Sequence, residues 1–338
     1  VLAYSKSEGD FELRNKICDY YSKINIEIDE SQVIVTSGAS EALLFTIGSI
    51  MDPGDEIIIP EPFYANYNGF SVANGVNIIP IFSSIDNNFE LPKIQEFENL
   101  ISSNTKAILI CNPNNPTGYV YSYDEIKTLV EIVKKHNLFL IADEVYREFT
   151  YDNVSHTSIM QFDDIKQHAI VIDSVSKRYS MCGARIGCII SKNSEFISTA
   201  MKFAQARLSP PTLAQIASTA AMDTGEDYFD KVINEYDNRR KTLLEGLNKI
   251  PGVKVSEPKG AFYCVVELPV DNSEHFAKWL LEEYSLDNET IMVAPAAGFY
   301  STPNIGQNQV RIAYVLNQND LESCIKILKN GLIEYLRQ

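Results

Sequence analysis

The sequence has 338 residues, of which 45% are hydrophobic and 22% charged, an ordinary composition for a folded globular chain. Asp and Glu outnumber Lys and Arg by 45 to 29, a formal charge of -16, which argues against nucleic acid or an anionic membrane surface as the main partner. No apolar run approaches the roughly 20 residues of a membrane span, and a chain of this length can bury about three quarters of its unfolded surface, in one large domain or one large and one small.

Val1 to Gly9 reads as a loop carrying Tyr4. Asp10 can cap a helix that runs to about Ile24, with Leu13, Ile17, Tyr20 and Tyr21 in its apolar stripe. Val33 to Thr36 is a short β-branched strand. It enters SGASEALLFTIGSIM, a glycine turn and a helix whose first backbone N–H groups can hold an anion. A turn at Asp52-Pro53-Gly54-Asp55 precedes a buried strand, Glu56 to Pro60, and an aromatic loop from Glu61 to Tyr67. Val76 to Phe82 is a further strand, and Leu91 to Ile101 a helix.

The apolar strand Ala107 to Cys111 stops at NPNNPTG, a loop of turn residues in which prolines aim amide side chains. Ser122 caps a helix over Tyr123 to His136, and the next buried strand, Leu138 to Ala142, carries Asp143 and Glu144 at its carboxyl end. A strand at Ala169 to Ile172 leads into DSVSKRYSMCGARIG. There Lys177 lies among Ser174, Ser176 and Ser180, with Arg185 before the apolar run Ile186 to Ile190. Such a lysine suits a Schiff base with an aldehyde cofactor whose phosphate needs hydroxyls and a guanidinium nearby.

Asn193 to Phe203 is helical, Gln205 to Pro211 a break, Thr212 to Thr224 a helix of small residues and Asp227 to Ile250 one long helix. Shorter elements follow at Phe262 to Leu268, Ser273 to Tyr284, Thr290 to Val293 and Gln309 to Val315, before a last helix from Asn319 to Leu336. Strands alternating with helices predict an α/β fold, its mostly parallel sheet covered on both faces and its ligands at the carboxyl ends of strands. The expected division is a truncated N-terminal portion (1–30), a large domain (31–225) and an interdomain helix with a small α+β domain (226–338). Cys18, Cys111, Cys182, Cys188, Cys264 and Cys324 form no CxxC pair and read as free thiols of a reducing compartment, the cytoplasm. The four histidines have no ligand spacing, so no metal is expected. The chain begins at Val1, in mid-pattern, and an N-terminal segment is expected before it.

Six segments, TSGAS, EPFYANY, NPNNPTG, ADEVY, SVSKRYSMCGARIG and QVRIAY, stand in an order that resembles the fold-type-I, pyridoxal-phosphate-dependent aminotransferases of class I/II, the branch that includes aspartate aminotransferases. The resemblance covers nearly the whole chain. It implies that Lys177 holds pyridoxal 5'-phosphate as an internal aldimine and shuttles the substrate proton. Asp143 would pair with the pyridine nitrogen, while Tyr146 and Asn115 bond the ring hydroxyl. Arg185, Ser174, Ser176 and the backbone of Ala39 and Ser40 would hold the phosphate. Tyr64 would stack on the ring, where many relatives use tryptophan. Tyr4 matches a tyrosine that reaches the partner's phosphate, which implies a homodimer with composite active sites. Arg311 would bind the substrate α-carboxylate, with Asn115 beside it. The implied reaction moves an amino group between an L-amino acid, aspartate or glutamate by expectation, and a 2-oxo acid.

Two departures stand out. A substrate-contacting glycine of the family's N-terminal arm would lie before Val1. Ser40 stands where some aspartate-specific relatives place a lysine, and Arg207, read as an unpaired arginine in an apolar loop, is the candidate replacement for binding a distal carboxylate. Two other readings use the same scaffold: a β-elimination lyase, and the aminotransferase-like sensor domain of a transcription regulator.

Overall fold

Uninterrupted runs of Ile, Val, Leu and Ala form the central strands, because a strand buried on both faces has no solvent side to be polar on. The computed structural model describes residues 1–338, the side chain of Glu226 excepted. Strands β1 (Val33–Thr36), β2 (Glu56–Glu61), β3 (Asn77–Phe82), β4 (Thr105–Cys111), β5 (Phe139–Asp143), β6 (Ala169–Ser174) and β7 (Gly187–Ile190) form a seven-stranded sheet in the order β1-β7-β6-β5-β4-β2-β3. From β6 to β3 all neighbours are parallel, and β7 is antiparallel to both β6 and β1.

Alternation along each strand sorts side chains between two cores. Ile34, Ile57, Ile59, Leu109 and Ile141 join the core under α2 (Gly38–Ile50) and α7 (Ser194–Arg207). Val33, Val35, Ile58, Ile108, Ile110 and Leu140 join the opposite core, with α1 (Phe11–Lys23) and α5 (Tyr123–His136). The remaining helices before residue 226 are α3 (Asn66–Ala73), α4 (Ile94–Leu100), the single turn α6 (Val175–Arg178) and α8 (Thr212–Ala221). Beyond them come α9 (Glu226–Leu247), α10 (Ser273–Glu282) and α11 (Gln318–Tyr335). There β8 (Lys254–Val255), β9 (Tyr263–Glu267), β10 (Ala294–Pro295) and β11 (Gln309–Ala313) form a second, antiparallel sheet in the order β10-β11-β9-β8. Among the described residues no helix is long and apolar enough to cross a membrane.

The helix starts expected at Asp10 and Ser122 are where the structure puts them. Asp10 accepts from the N–H groups of Glu12 and Leu13, and Ser122 forms a reciprocal cap with Glu125. Three local readings change, and one strand is added. The aromatic loop ends in a helix, α3, which starts with no side-chain cap bond to announce it. The strand expected at Thr290 to Val293 is displaced to β10, where Ala294 and Pro295 pair with Arg311 and Val310. Helix α7 continues through Arg207, so the break begins at Leu208, whose φ is +82°. The two-residue strand β8 has too little apolar pattern to be read locally.

Candidate active site

The carboxyl ends of β1, β4, β5 and β6 open onto one cavity of about 270 Å³. Its walls include Ala39, Ser40, Tyr64, Asn115, Asp143, Tyr146, Ser174, Ser176, Lys177, Arg185 and Arg311. All the sequence-predicted site residues therefore meet here, except Tyr4 and Arg207.

Asp143 ends β5, and its side chain is buried. The Tyr67 hydroxyl donates to its Oδ2 at 2.9 Å, and the Val145 N–H to its Oδ1 at 3.4 Å. No cation among the described residues bonds it. Burial pushes its pKa up to about 6, against the lowering effect of those two donors. A buried carboxyl without a cationic partner is costly unless something positive is brought to it.

A cradle for an anion forms where α2 begins. Ser37, at its N-cap, makes no side-chain cap bond, so the first-turn N–H groups stay available. Gly38 has φ +76°, and a Cβ there would lie 2.3 Å from Arg185 Nη2. A Cβ on Gly187 would lie 2.6 Å from the Gly38 carbonyl carbon and 2.7 Å from the Ala39 nitrogen. The two glycines thus let the guanidinium and β7 close in on the start of α2. Arg185 is exposed, with Nη1 donating to the Cys182 carbonyl at 3.1 Å. Ser176 lines the same cavity. Ser174 shares the wall, but its oxygen already accepts from the Ser176 N–H (3.1 Å) and lies 2.7 Å from the Ile186 carbonyl, and releasing its hydroxyl to a ligand costs that bond.

Lys177 is half-buried, with Nζ 3.7 Å from Cys182 Sγ and 5.9 Å from the Tyr146 ring centre. Tyr146 shares a 3.0 Å hydrogen bond with the hydroxyl of Tyr263. Across the cavity, Arg311 rises from β11 of the second sheet. Its guanidinium lies 4.6 Å from the Tyr263 ring centre and 4.9 Å from that of Phe299, and its Nη1 donates to Asn115 Oδ1 at 3.0 Å. That bond occupies the amide oxygen of Asn115 and leaves its NH2 group free to donate. Tyr64 is half-buried, edge-on to Tyr67 with ring centres 5.5 Å apart, and its hydroxyl accepts from Asn66 at 2.7 Å.

Arg207 is not an unpaired arginine, which corrects the premise on which it was singled out. Its Nη1 meets Glu41 Oε2 at 2.7 Å and its Nη2 donates to the Ser7 carbonyl at 2.9 Å. It ties the N-terminal loop and α2 to the end of α7, outside the cavity. Tyr4 is 82% exposed and also stands away from the cavity of its own chain. The sequence reading did not single out Tyr67, Tyr263 or Gly187, and it took Gly38 only as part of a glycine turn. Tyr67 was visible within EPFYANY, three positions from Tyr64, whereas Tyr263 meets Tyr146 across 117 positions and has no local signature.

Residues 1–328 match the family model described as aminotransferase class I and II. The aspartate aminotransferase of Bacillus subtilis is 32% identical over 337 residues, which span 96% of this chain and 82% of that protein. The solved aromatic aminotransferase of Pyrococcus horikoshii superposes with a TM-score of 0.91 at 28% identity, covering 98% of this chain and 88% of the other. The alanine aminotransferase of Pyrococcus furiosus does so with 0.90 at 28% identity, covering 98% and 84%. These relatives share the fold and the transfer of amino groups while their names differ in substrate. With the model matched over nearly its full length, this chain belongs to the class I and II aminotransferases, and its activity is that of an aminotransferase.

Proposed function

We propose that this aminotransferase works with pyridoxal phosphate, as its family does, and moves an amino group between an L-amino acid and a 2-oxo acid, with aspartate or glutamate as the donor. One observation carries the reading: a lysine, a buried carboxyl without a cation and an anion cradle share a single cavity. The residues fit the cofactor. Lys177 would attach it through Nζ, and Asp143 would meet its protonated ring nitrogen. Arg185, Ser176, Ser174 and the Ala39 and Ser40 backbone would hold the phosphate, Tyr146 and the Asn115 amide the ring oxygen, and Tyr64 one ring face. Bound there, pyridoxal phosphate supplies an electron-poor ring that takes up charge from the substrate α-carbon.

The chain's own groups do the rest. Asp143 keeps that ring nitrogen protonated, because a carboxylate in a dry site favours a charged neighbour. Arg311, its plane held against Tyr263 and Phe299, offers a fork to the substrate α-carboxylate and fixes which bond at the α-carbon faces Lys177. With its Nζ free as an amine, Lys177 would accept the substrate α-proton and hold it as the ammonium until it is handed back. Aspartate is the donor favoured by the names of the relatives and glutamate is its acidic homologue, while the aromatic and alanine enzymes define the competitors to test.

We read the assembly as a homodimer. Tyr4, Leu208, Leu213 and Ile216 are all more than half exposed. The loop bearing Tyr4 is tied to this surface by Ser7 (2.7 Å to the Leu208 carbonyl) and by Gln215 (2.9 Å to Ser5 Oγ). Tyr4 would then complete the partner's phosphate site. The division into 1–30, 31–225 and 226–338 places the seven-stranded sheet in the large domain and Arg311 in the small one. Free cysteines suit the cytoplasm.

The test is an absorbance titration of cofactor-loaded protein with one amino donor and no oxo acid. Loss of the visible band with growth of the pyridoxamine band is the expected result, strongest for aspartate or glutamate. A band that persists under every donor tried would contradict the reading.

A further inference from the structure

Lys177 is presented by a helix of four residues, Val175–Arg178. So short a helix cannot hold itself, because nucleating one turn fixes several dihedrals for a single backbone bond. Something beneath it must fix its backbone. That something is a buried polar layer no part of which lines the cavity.

The layer is built around Arg178, the residue after Lys177. Its side chain is 3% exposed. Its Nη2 meets both oxygens of Asp173, at 2.9 and 2.7 Å, and its Nε meets Glu148 Oε1 at 2.7 Å. Asp173 Oδ1 also accepts the Ser174 N–H at 2.7 Å, so one carboxylate grips the chain on both sides of the lysine turn. Helix α1 closes the layer from below. Tyr21 donates to Asp173 Oδ2 at 3.1 Å, Tyr20 donates to Glu148, and the Tyr20 ring lies 3.9 Å from the Arg178 guanidinium carbon. Glu148 follows closely on Tyr146 and Asp143 in the chain, so the Arg178–Glu148 pair ties the segment bearing those two groups to the turn bearing Lys177.

We infer that Arg178 is a positioning residue for Lys177: clasped by Asp173 and Glu148 over Tyr20, it sets the lysine turn in register with the Asp143–Tyr146 segment. The inference rests on the cofactor reading above and adds to it the mount of the lysine. A planar fork is needed, because a lysine at 178 could hold only one of the two carboxylates squarely.

The test compares the wild type with Arg178→Lys, with Asp173→Asn, which keeps the shape of the clasp and removes its charge, and with Leu328→Ala, a core variant in α11 away from the site. For each, four quantities are measured, the last three below the melting transition. They are the melting temperature, the rate at which cofactor-free protein captures pyridoxal phosphate, read as growth of the visible band, and kcat and KM of the loaded enzyme. Arg178→Lys and Asp173→Asn should slow capture and lower kcat by about 10- to 100-fold, with KM for the donor unchanged within about twofold, as expected of a small displacement of a reacting group. Leu328→Ala should lower the melting temperature and leave capture and kcat near wild type. Where Arg178→Lys does not fold, Asp173→Asn decides. Wild-type capture and kcat in both clasp variants would overturn the inference, and so would an equal loss in Leu328→Ala. A wild type that captures no cofactor would overturn the cofactor reading, and this inference with it.

Discussion

Asp143 shows how a single residue can work against the fold for the sake of the site. Its pKa rises from 3.8 in an unfolded chain to about 6 in the folded one, chiefly through burial. The folded chain therefore binds this proton more tightly, and stability from this group falls as pH rises from about 4 to about 6. At neutral pH the cost is about 3 kcal/mol, at about 1.4 kcal/mol per unit. Asp143→Asn should stabilise the cofactor-free protein by about 1–3 kcal/mol at pH 7.5 and by nothing at pH 4, while abolishing transamination. Denaturant unfolding at the two pH values checks this, and equal destabilisation at both would contradict it. The motif made Asp143 legible, since a carboxylate at a strand's carboxyl end with a tyrosine three positions on pointed to it. Tyr67, which donates to it, was not singled out, because its hydroxyl finds Asp143 across 76 positions. Arg207 misled for a related reason: its partner, Glu41, lies 166 positions away, and no local pattern announces a pair so distant.

Among the elements, the start of α2 against β7 is the most exacting contact of the site. Gly187 pairs with both Thr36 and Ser174, so it sits between the two strands that lead into the anion cradle and the lysine turn. A methyl group there would meet backbone atoms at 2.6 to 2.9 Å, which cannot rotate away. Gly187→Ala should cost about 1–3 kcal/mol of stability, the usual range for overpacking, and should weaken cofactor retention. Gly298→Ala, where nothing lies within 4 Å, is the matched control and should change neither. Melting temperature and a fluorescence titration with pyridoxal phosphate would read both effects. The elements themselves were mostly legible. Helix α5 begins after its Ser122 cap and ends at His136 as expected, with Asn137 beyond it in the left-handed conformation. Helix α3 has no such cap, and its Asn, Gly and Val residues are weak helix formers held by tertiary packing. The place of β10 is set by its pairing with β11 rather than by the apolar run before it.

For the whole molecule, the candidate active site joins two sheets: the lysine, the carboxyl and the anion cradle come from the first, and Arg311 from the second. Arg311 already reaches Asn115 across the gap, so a carboxylate arriving between them would draw the two parts together. The proposed dimer belongs to this scale too. Replacing Leu213 and Ile216, both exposed and apolar on α8, with Glu should convert dimer to monomer by sedimentation and lower cofactor affinity, because Tyr4 would no longer reach a partner. A monomeric wild type with full activity would contradict that assembly. The alternation of strands and helices made the first sheet readable as mostly parallel, while the antiparallel setting of β7 was not, since strand direction is fixed by partners and not by pattern.

The central claim is that Lys177 carries the cofactor. The measurement that bears on it most directly is borohydride reduction of the protein loaded with pyridoxal phosphate, followed by peptide mass mapping. The account requires the added phosphopyridoxyl mass on the peptide containing Lys177, and its loss in Lys177→Ala. Label on another lysine at full occupancy, or none on protein that retains the cofactor, would contradict it.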